Sequence, residues 1–371
     1  MNDGRDMTPA LGEHGGPGVW RRAVEGAAVA LQQRRWKDAR WSYLYGPDTK
    51  YAPPADDESD DRVAAAARRM RARETAPPEP HGPMLKQAVW TWEVPLYFWF
   101  GGMASGASFV ALACDLAGDH RSARLARKVA LGALVPSPPL LVLDLGRSER
   151  FVNMLRVFKP RSPMSMGAWA LTLFGNLAAA SVGADLLGRK REARILGGAN
   201  AVVGGYLGSY TGVLLASTAV PVWARSRAFL GPIFVCTAAA TGAAATRLAL
   251  VATGVPEPHP TRTALGAVET GAIAMELALS SVNERRLGRL AASLNEGTPG
   301  RLFKLAKWAV RAGLALRFAR GRGGPATHNV ASALYLGGGL AFRFAWVGAG
   351  RTSSRDDEAV ALMARRAGAR L

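Results

Sequence analysis

Cysteine is nearly absent from this 371-residue chain: Cys114 and Cys236 are the two that occur, both inside apolar runs. Two thiols cannot ligate a four-cysteine iron–sulfur cluster or a cysteine-rich zinc site, and they form at most one disulfide. No metal site of the chain's own is expected. Histidine is scarce as well, and His14, His81, His120, His259 and His328 all fall where the pattern predicts the polar head or loops. A haem held between two intramembrane imidazoles is therefore not expected. The N-terminus, MNDGRDMTPALGEHGG, has no basic stretch leading into an apolar core, so it does not read as a secretory signal. Acidic side chains are thin where apolar ones are dense: residues 93–371 hold 33 of the 47 Lys and Arg but 15 of the 28 Asp and Glu.

What the chain does have is long uncharged apolar runs, with its net charge of +19 gathered in short basic clusters at their ends. That arrangement points to membrane lipid rather than nucleic acid, which would draw the basic residues along one helix or groove. The runs match about 20 residues per bilayer crossing. They predict helices at about 94–117, 127–145, 167–187, 195–220, 228–252, 264–282, 302–319 and 330–350. The expected fold is an all-α polytopic integral membrane bundle of about eight transmembrane helices over 86–352, with a polar C-terminal tail at 353–371. The seventh helix carries Lys304, Lys307 and Arg311 on one stripe, which suits a surface-lying helix as well as a spanning one, so seven and eight spans both fit. Trp90, Trp92, Trp169, Trp223, Trp308 and Trp346 read as an interfacial belt. Lys and Arg are shared equally between alternate loops, so orientation does not follow from charge.

Residues 1–85 form a polar, proline-punctuated extension with an acidic knot at Asp56, Asp57, Glu58, Asp60 and Asp61, then a basic one at Arg68, Arg69, Arg71 and Arg73. It reads as a largely extended segment with short helices at 18–37 and 61–74, either simply solvated or serving as a strap on a partner subunit.

Several features could carry chemistry. In the first span, Tyr97 stands one turn below Glu93 and just ahead of Gly101 and the Gly102-x-x-x-Gly106 face. The glycines suit close helix packing, while the phenol could meet a flat polar-headed ligand. Pro136-Ser-Pro-Pro139 must bend or open the second helix. At its end, Asp144 precedes Arg147 and Arg150; it either pairs with them to fix the loop or relays protons to a redox headgroup at the interface. Phe151, Met154, Leu155 and Phe158 then form the stripe of a helix lying on the membrane surface. In the fourth helix, Gly204, Gly208 and Gly212 make a packing face beside Tyr206 and Tyr210, and the Tyr210 hydroxyl could bond a quinone carbonyl or a backbone one. Glu269 and Glu276 share one stripe of the sixth helix about 10 Å apart, either relaying protons or pairing with Arg247 or Arg343. Asp115 and Asp185, near span ends, are expected to snorkel to the surface.

Together, Trp90-x-Trp92, Tyr97 ahead of Gly101-Gly102-x-x-x-Gly106, Asp144-Leu-Gly-Arg-Ser-Glu-Arg-Phe151, Ser162-Pro-Met-Ser-x-Gly-x-Trp169, and Tyr210-Thr-Gly-Val-Leu-Leu running to Pro221-Val-Trp223 resemble the NrfD/PsrC-type, polysulfide-reductase-like membrane subunit of molybdopterin oxidoreductase complexes. The resemblance is strong over roughly 85–250 and rests on hydropathy beyond. It implies a haem-free, eight-helix protein of the cell (inner) membrane that binds quinone, menaquinone or ubiquinone. Its implied partners are an iron–sulfur subunit of the ferredoxin-like four-iron type and a molybdopterin subunit. By position it implies that Tyr97 and Tyr210 flank the headgroup and that Asp144 handles protons, with Arg147 and Arg150 holding its charge or docking the cluster protein. Ser148 stands where the family has proline, and the N-terminal extension is longer than usual. Two rival readings remain: a purely structural anchor, and a proton translocator using Glu269 and Glu276.

Overall fold

The computed structural model describes Leu85, Ala88 and residues 90–145, 151–318 and 324–368. The helices expected at 18–37 and 61–74, together with Arg147 and Arg150, lie outside the described residues. Every regular element among the described residues is helical. In chain order these are α1 (Glu93–Leu116), α2 (His120–Leu134), α3 (Ser137–Asp144), α4 (Phe151–Arg156), α5 (Pro163–Leu186), α6 (Lys190–Ala216), α7 (Pro221–Arg225) and α8 (Arg227–Ala252). They continue with α9 (Pro260–Leu287), a 3₁₀ turn at Gly288–Ala291, α10 (Ala292–Asn295), α11 (Gly297–Phe318), α12 (Pro325–Ser353) and α13 (Asp357–Gly368). All eight expected long helices are present, with the second in two pieces. Six helical stretches, Glu93–Leu116, His120–Asp144, Pro163–Leu186, Arg227–Ala252, Pro260–Asn295 and Ala326–Ser353, are long and apolar enough to cross a bilayer. The 27 residues of α6 and 22 of α11 also reach membrane length at about 1.5 Å per residue, but glycine and tyrosine dilute the first and basic residues the second.

The long helices run alternately up and down. The end at which α1 starts is called proximal and the other distal. α1 and α8 occupy the middle, with α2, α5 and α6 on one flank and α9, α11 and α12 on the other. Their contact is backbone to backbone: a Cβ on Gly106 would stand 1.9 Å from the Ala238 carbonyl oxygen, and one on Gly242 would stand 2.2 Å from the Ala107 nitrogen. The glycine stripe of α6 does the same work. A Cβ on Gly204 or Gly208 would meet Ser108 or Ser105 of α1, and one on Gly212 would strike the Leu230 carbonyl of α8. Small residues thus set the interhelical spacing, as expected where lipid gives helices little reason to associate.

Three distal turns are alike. α1, α5 and α8 each end two residues before a left-handed glycine, Gly118, Gly188 and Gly254. The following amide then bonds back to the helix, Asp119 N–H to Cys114 O at 2.9 Å, Arg189 to Ala184 at 2.8 Å and Val255 to Leu250 at 3.0 Å. This double closure satisfies terminal carbonyls at the membrane boundary. Asp119 then caps α2 by accepting from Ser122 N–H at 3.0 Å and reaches α9 by accepting from Thr261 Oγ1 at 2.5 Å. Partial burial pushes its carboxyl up, but the bonds from Ser122 and Thr261 outweigh this and hold it below the ordinary 3.8.

The tryptophan belt needs correction. Trp92 and Trp308 are exposed and Trp169 sits at the margin, but Trp223 and Trp346 are wholly buried. Trp223 Nε1 donates to the Trp346 carbonyl at 2.8 Å, Trp90 stacks on Trp223 at 5.3 Å, and Gly350 leaves the space that the Trp223 ring fills. These rings tie the α7 corner to α12 and form part of the proximal core.

Candidate functional site

The break in the second helix falls where the prolines stand. α2 ends at Leu134 and α3 restarts at Ser137, with Pro138 and Pro139 in its first turn, where a missing amide costs nothing. This turns α3 against α1 near Gly101: the one atom within reach of a Cβ there is Ser137 Oγ, at 4.0 Å. That hydroxyl is fully buried and has no hydrogen-bond partner among the described residues. Nothing in the sequence had singled out Ser137, although a polar residue inside a proline-broken span is a readable signal.

Tyr97 lies one turn before Gly101 on the same side of α1, and both are buried. Tyr210 of α6 is buried too and near enough to Tyr97 for the two phenols to interact electrostatically. Its ring rests on α5 at Gly167, where a Cβ would come within 1.9 Å of Cζ, and it stacks on the more exposed Tyr206 at 5.9 Å. Among the described residues neither the Tyr97 nor the Tyr210 hydroxyl makes a hydrogen bond. Gly167 is the glycine of Ser162-Pro-Met-Ser-x-Gly-x-Trp169, and its lack of a side chain admits the Tyr210 ring.

The other expected residues divide. Gly101 belongs with Tyr97, but Gly102 faces α8 and α12, with Arg343 Nη2 at 3.4 Å and Ala238 Cβ at 3.7 Å from a Cβ there, and is a packing residue. Asp144 is half-buried at the proximal end of α3 and is engaged, not free. α4 follows with Phe151, Met154 and Leu155 on its less exposed side, as its stripe predicts. The helix stops at Arg156, and Phe158 instead packs edge-on against Trp169 at 5.9 Å.

Glu269 and Glu276 are both buried, but neither forms the expected ion pair. Glu269 pairs with Arg317 of α11 and accepts from Ser332 Oγ at 2.9 Å. Glu276 accepts from Ser280 Oγ at 2.7 Å, one turn along its own helix, beside a cavity of about 20 Å³. Arg343 lies instead over the Phe234 ring at 3.7 Å and donates to the Phe234 carbonyl at 3.2 Å. Lys307, from the basic stripe of α11, reaches Glu284 at 2.6 Å. His328, expected in a loop, sits in the first turn of α12, with its Nδ1 3.1 Å from Arg317 Nη1.

Asp115 and Asp185 do not snorkel. Both residues are half-buried, with side chains almost covered and held by Arg127 of α2, at 2.5 Å to Asp115 and 2.6 and 3.0 Å to Asp185. The repeated Asp-Leu-x-Gly of 115–118 and 185–188 is the signal that could have found this triad, since it places one carboxylate at the same point of two like turns.

Four cavities of about 280–450 Å³ lie away from the two tyrosines. One, of about 450 Å³, is proximal and walled by Trp90, Trp92, Pro95, Pro299 and Phe344, with Arg351 and Arg355 at its edge. Another, of about 300 Å³, is an apolar groove between α1, α8 and α9.

Residues 82–282 match the family described as polysulphide reductase, NrfD. That is more than half of the chain, and the protein belongs to this family. It is a multi-pass membrane protein of the kind that serves as a membrane subunit in oxidoreductase complexes, and the family generally partners with molybdopterin and iron–sulfur subunits. No curated protein matches it. The matched stretch runs from α1 to near the end of α9 and leaves out α11 and α12.

Proposed function

We propose that the protein is the quinone-binding anchor of such a complex in the cell (inner) membrane, exchanging electrons between the quinone pool and a partner's four-iron clusters. A molybdopterin subunit carries the substrate chemistry. The observation that supports the reading best is the pair of buried tyrosines, Tyr97 of α1 and Tyr210 of α6, near enough to interact electrostatically and making no hydroxyl hydrogen bond among the described residues. Buried hydroxyls are ordinarily satisfied, so the orphaned Ser137 Oγ, beside Gly101 one turn from Tyr97, suits a ligand that brings acceptors to it and to the two phenols. A flat headgroup with carbonyl oxygens fits that donor set.

A quinone, when bound, supplies two-electron, two-proton redox chemistry. The protein's own contribution is position and protons. Tyr97 and Tyr210 each have an O–H to donate and fix the plane between α1 and α6. Asp144, at the proximal boundary of α3, exchanges protons with water, and Arg147 and Arg150 hold its charge or meet the cluster subunit. Proton supply from the far side is the second part of the proposal. Glu276 adjoins a space large enough for a water molecule, whereas Glu269 is clasped by Arg317 and Ser332.

The test is quinol turnover by the assembled complex. Tyr97→Phe and Tyr210→Phe should raise KM for quinone by about tenfold each, the worth of a hydrogen bond of roughly 1.4 kcal/mol, while Asp144→Asn lowers kcat. Unchanged kinetics in all three variants would leave a purely structural anchor.

A further inference from the structure

The distal ends of α8, α9, α11 and α12 enclose a cavity of about 380 Å³, lined by Arg247, Arg262, Arg317 and His328 among others. The volume lies in the range of small-ligand sites. Its three guanidiniums are almost inaccessible, at 2%, 6% and 8% exposure, and the Nε of each is buried with no acceptor among the described residues. Neutral groups aim them: Arg247 Nη1 donates to Asn329 Oδ1 at 3.0 Å and Ser332 Oγ at 3.3 Å, and Arg262 Nη1 donates to the Val255 carbonyl at 2.8 Å.

The charges do not balance. Glu269 is taken by Arg317, and among the described residues no carboxylate comes within 4.0 Å of Arg247 or Arg262. Glu257 lines the same cavity and acts on Arg247 from beyond ion-pair distance. His328 adds no negative charge, since its ring nitrogen faces Arg317 Nη1. Two buried cations without counter-ions are costly unless something anionic enters with them.

We propose that this cavity binds a phosphate-type oxoanion, held by Arg247 and Arg262 with Arg317 behind them. Guanidinium forks match phosphate oxygens in pairs, which a chloride ion or water cannot exploit. The phosphate belongs either to an anionic phospholipid headgroup or to a free phosphate from water, for the cavity lies at the membrane boundary and the chemistry is the same. The site is remote from the two tyrosines, and Arg317 and His328 lie outside the family-matched stretch, so it stands independently of quinone binding.

The test is thermal unfolding of the full-length, delipidated protein in neutral detergent. The additions are sodium phosphate against sodium chloride at equal ionic strength, and phosphatidylglycerol against phosphatidylcholine in mixed micelles. The wild type should unfold about 3–5 °C higher with phosphate, with phosphatidylglycerol, or with both, as expected of a ligand well above its Kd. A response to the lipid alone assigns the headgroup, and a response to inorganic phosphate alone assigns the free ion. Arg262→Gln should abolish the shift. Ala267→Leu, which narrows the cavity and keeps every guanidinium, should reduce it even if Arg262→Gln fails to fold. No shift in the wild type, or an undiminished shift in both variants, overturns the proposal.

Discussion

Two clusters of buried charge lie at the distal end, one on each flank of the α1–α8 pair, and they are built on opposite plans. On the α2–α5 flank a single guanidinium, Arg127, serves two carboxylates, Asp115 and Asp185, and α6 closes over it with Gly197, where a Cβ would stand 3.2 Å from Arg127 Cδ. On the α9–α12 flank Glu269 pairs with Arg317 alone, and Arg247 and Arg262 stand beside an open cavity with neutral partners. The first is a finished clamp that holds three helices in register. The second is polarised and roomy, which is what a receptacle needs. Burial alone does not separate a structural ion pair from a binding site; the charge balance and the space left beside it do.

The largest expected effect is on the clamp. Arg127→Met should destabilise the fold by about 3–5 kcal/mol, because it strands two carboxylates close together. Unfolding midpoints in detergent measure this, and a loss below 1 kcal/mol would mean that the cluster is hydrated and not a clamp. Glu269→Gln should cost less, about 2–3 kcal/mol, since the amide keeps the Ser332 bond and only one cation loses its partner. Were Glu269→Gln the more damaging of the two, the clamp–receptacle contrast would be reversed. The smallest effect is on the tether between the clusters, where Asp119 of the α1–α2 turn receives Thr261 of α9. Asp119→Asn keeps an acceptor at the cap but loses the charge that strengthens the bonds from Ser122 and Thr261, and should cost about 0.5–1 kcal/mol near neutral pH. Its carboxyl lies below 3.8 in the fold, so its stabilisation is complete above that value and fades as pH falls through the lowered pKa. The gap between wild type and variant should therefore close in acid, and a gap that persisted there would point to lost packing.

Legibility followed the range of the forces involved. The helices at 93–116 and 227–252 could be read because a long apolar run declares itself within its own residues. The break at 134–137 was equally local, since proline removes a donor wherever it stands. The glycine stripes announced close packing but not its partners, so Gly101 and Gly102, adjacent in sequence, ended on different sides of α1. Tyr97 and Tyr210 were singled out separately, by position and by resemblance, and their approach is a property of the α1–α6 packing. The buried tryptophans misled because an indole near a span end suits an interface, and only Gly350 and the Trp346 carbonyl show that Trp223 turns inward.

By itself the sequence determined that the chain is a helical membrane bundle, where its second span breaks, and which family it resembles. These are consequences of composition and of interactions within a turn or two. The partners of the buried charges were decided by tertiary structure: Asp115 and Asp185 by an arginine on a helix between them, Glu269 by one 48 residues away on α11. In a low-dielectric interior a charge takes whichever counter-charge the packing brings within reach. Spacing along the chain carries no record of that distance, and the same packing left Arg247 and Arg262 facing a cavity.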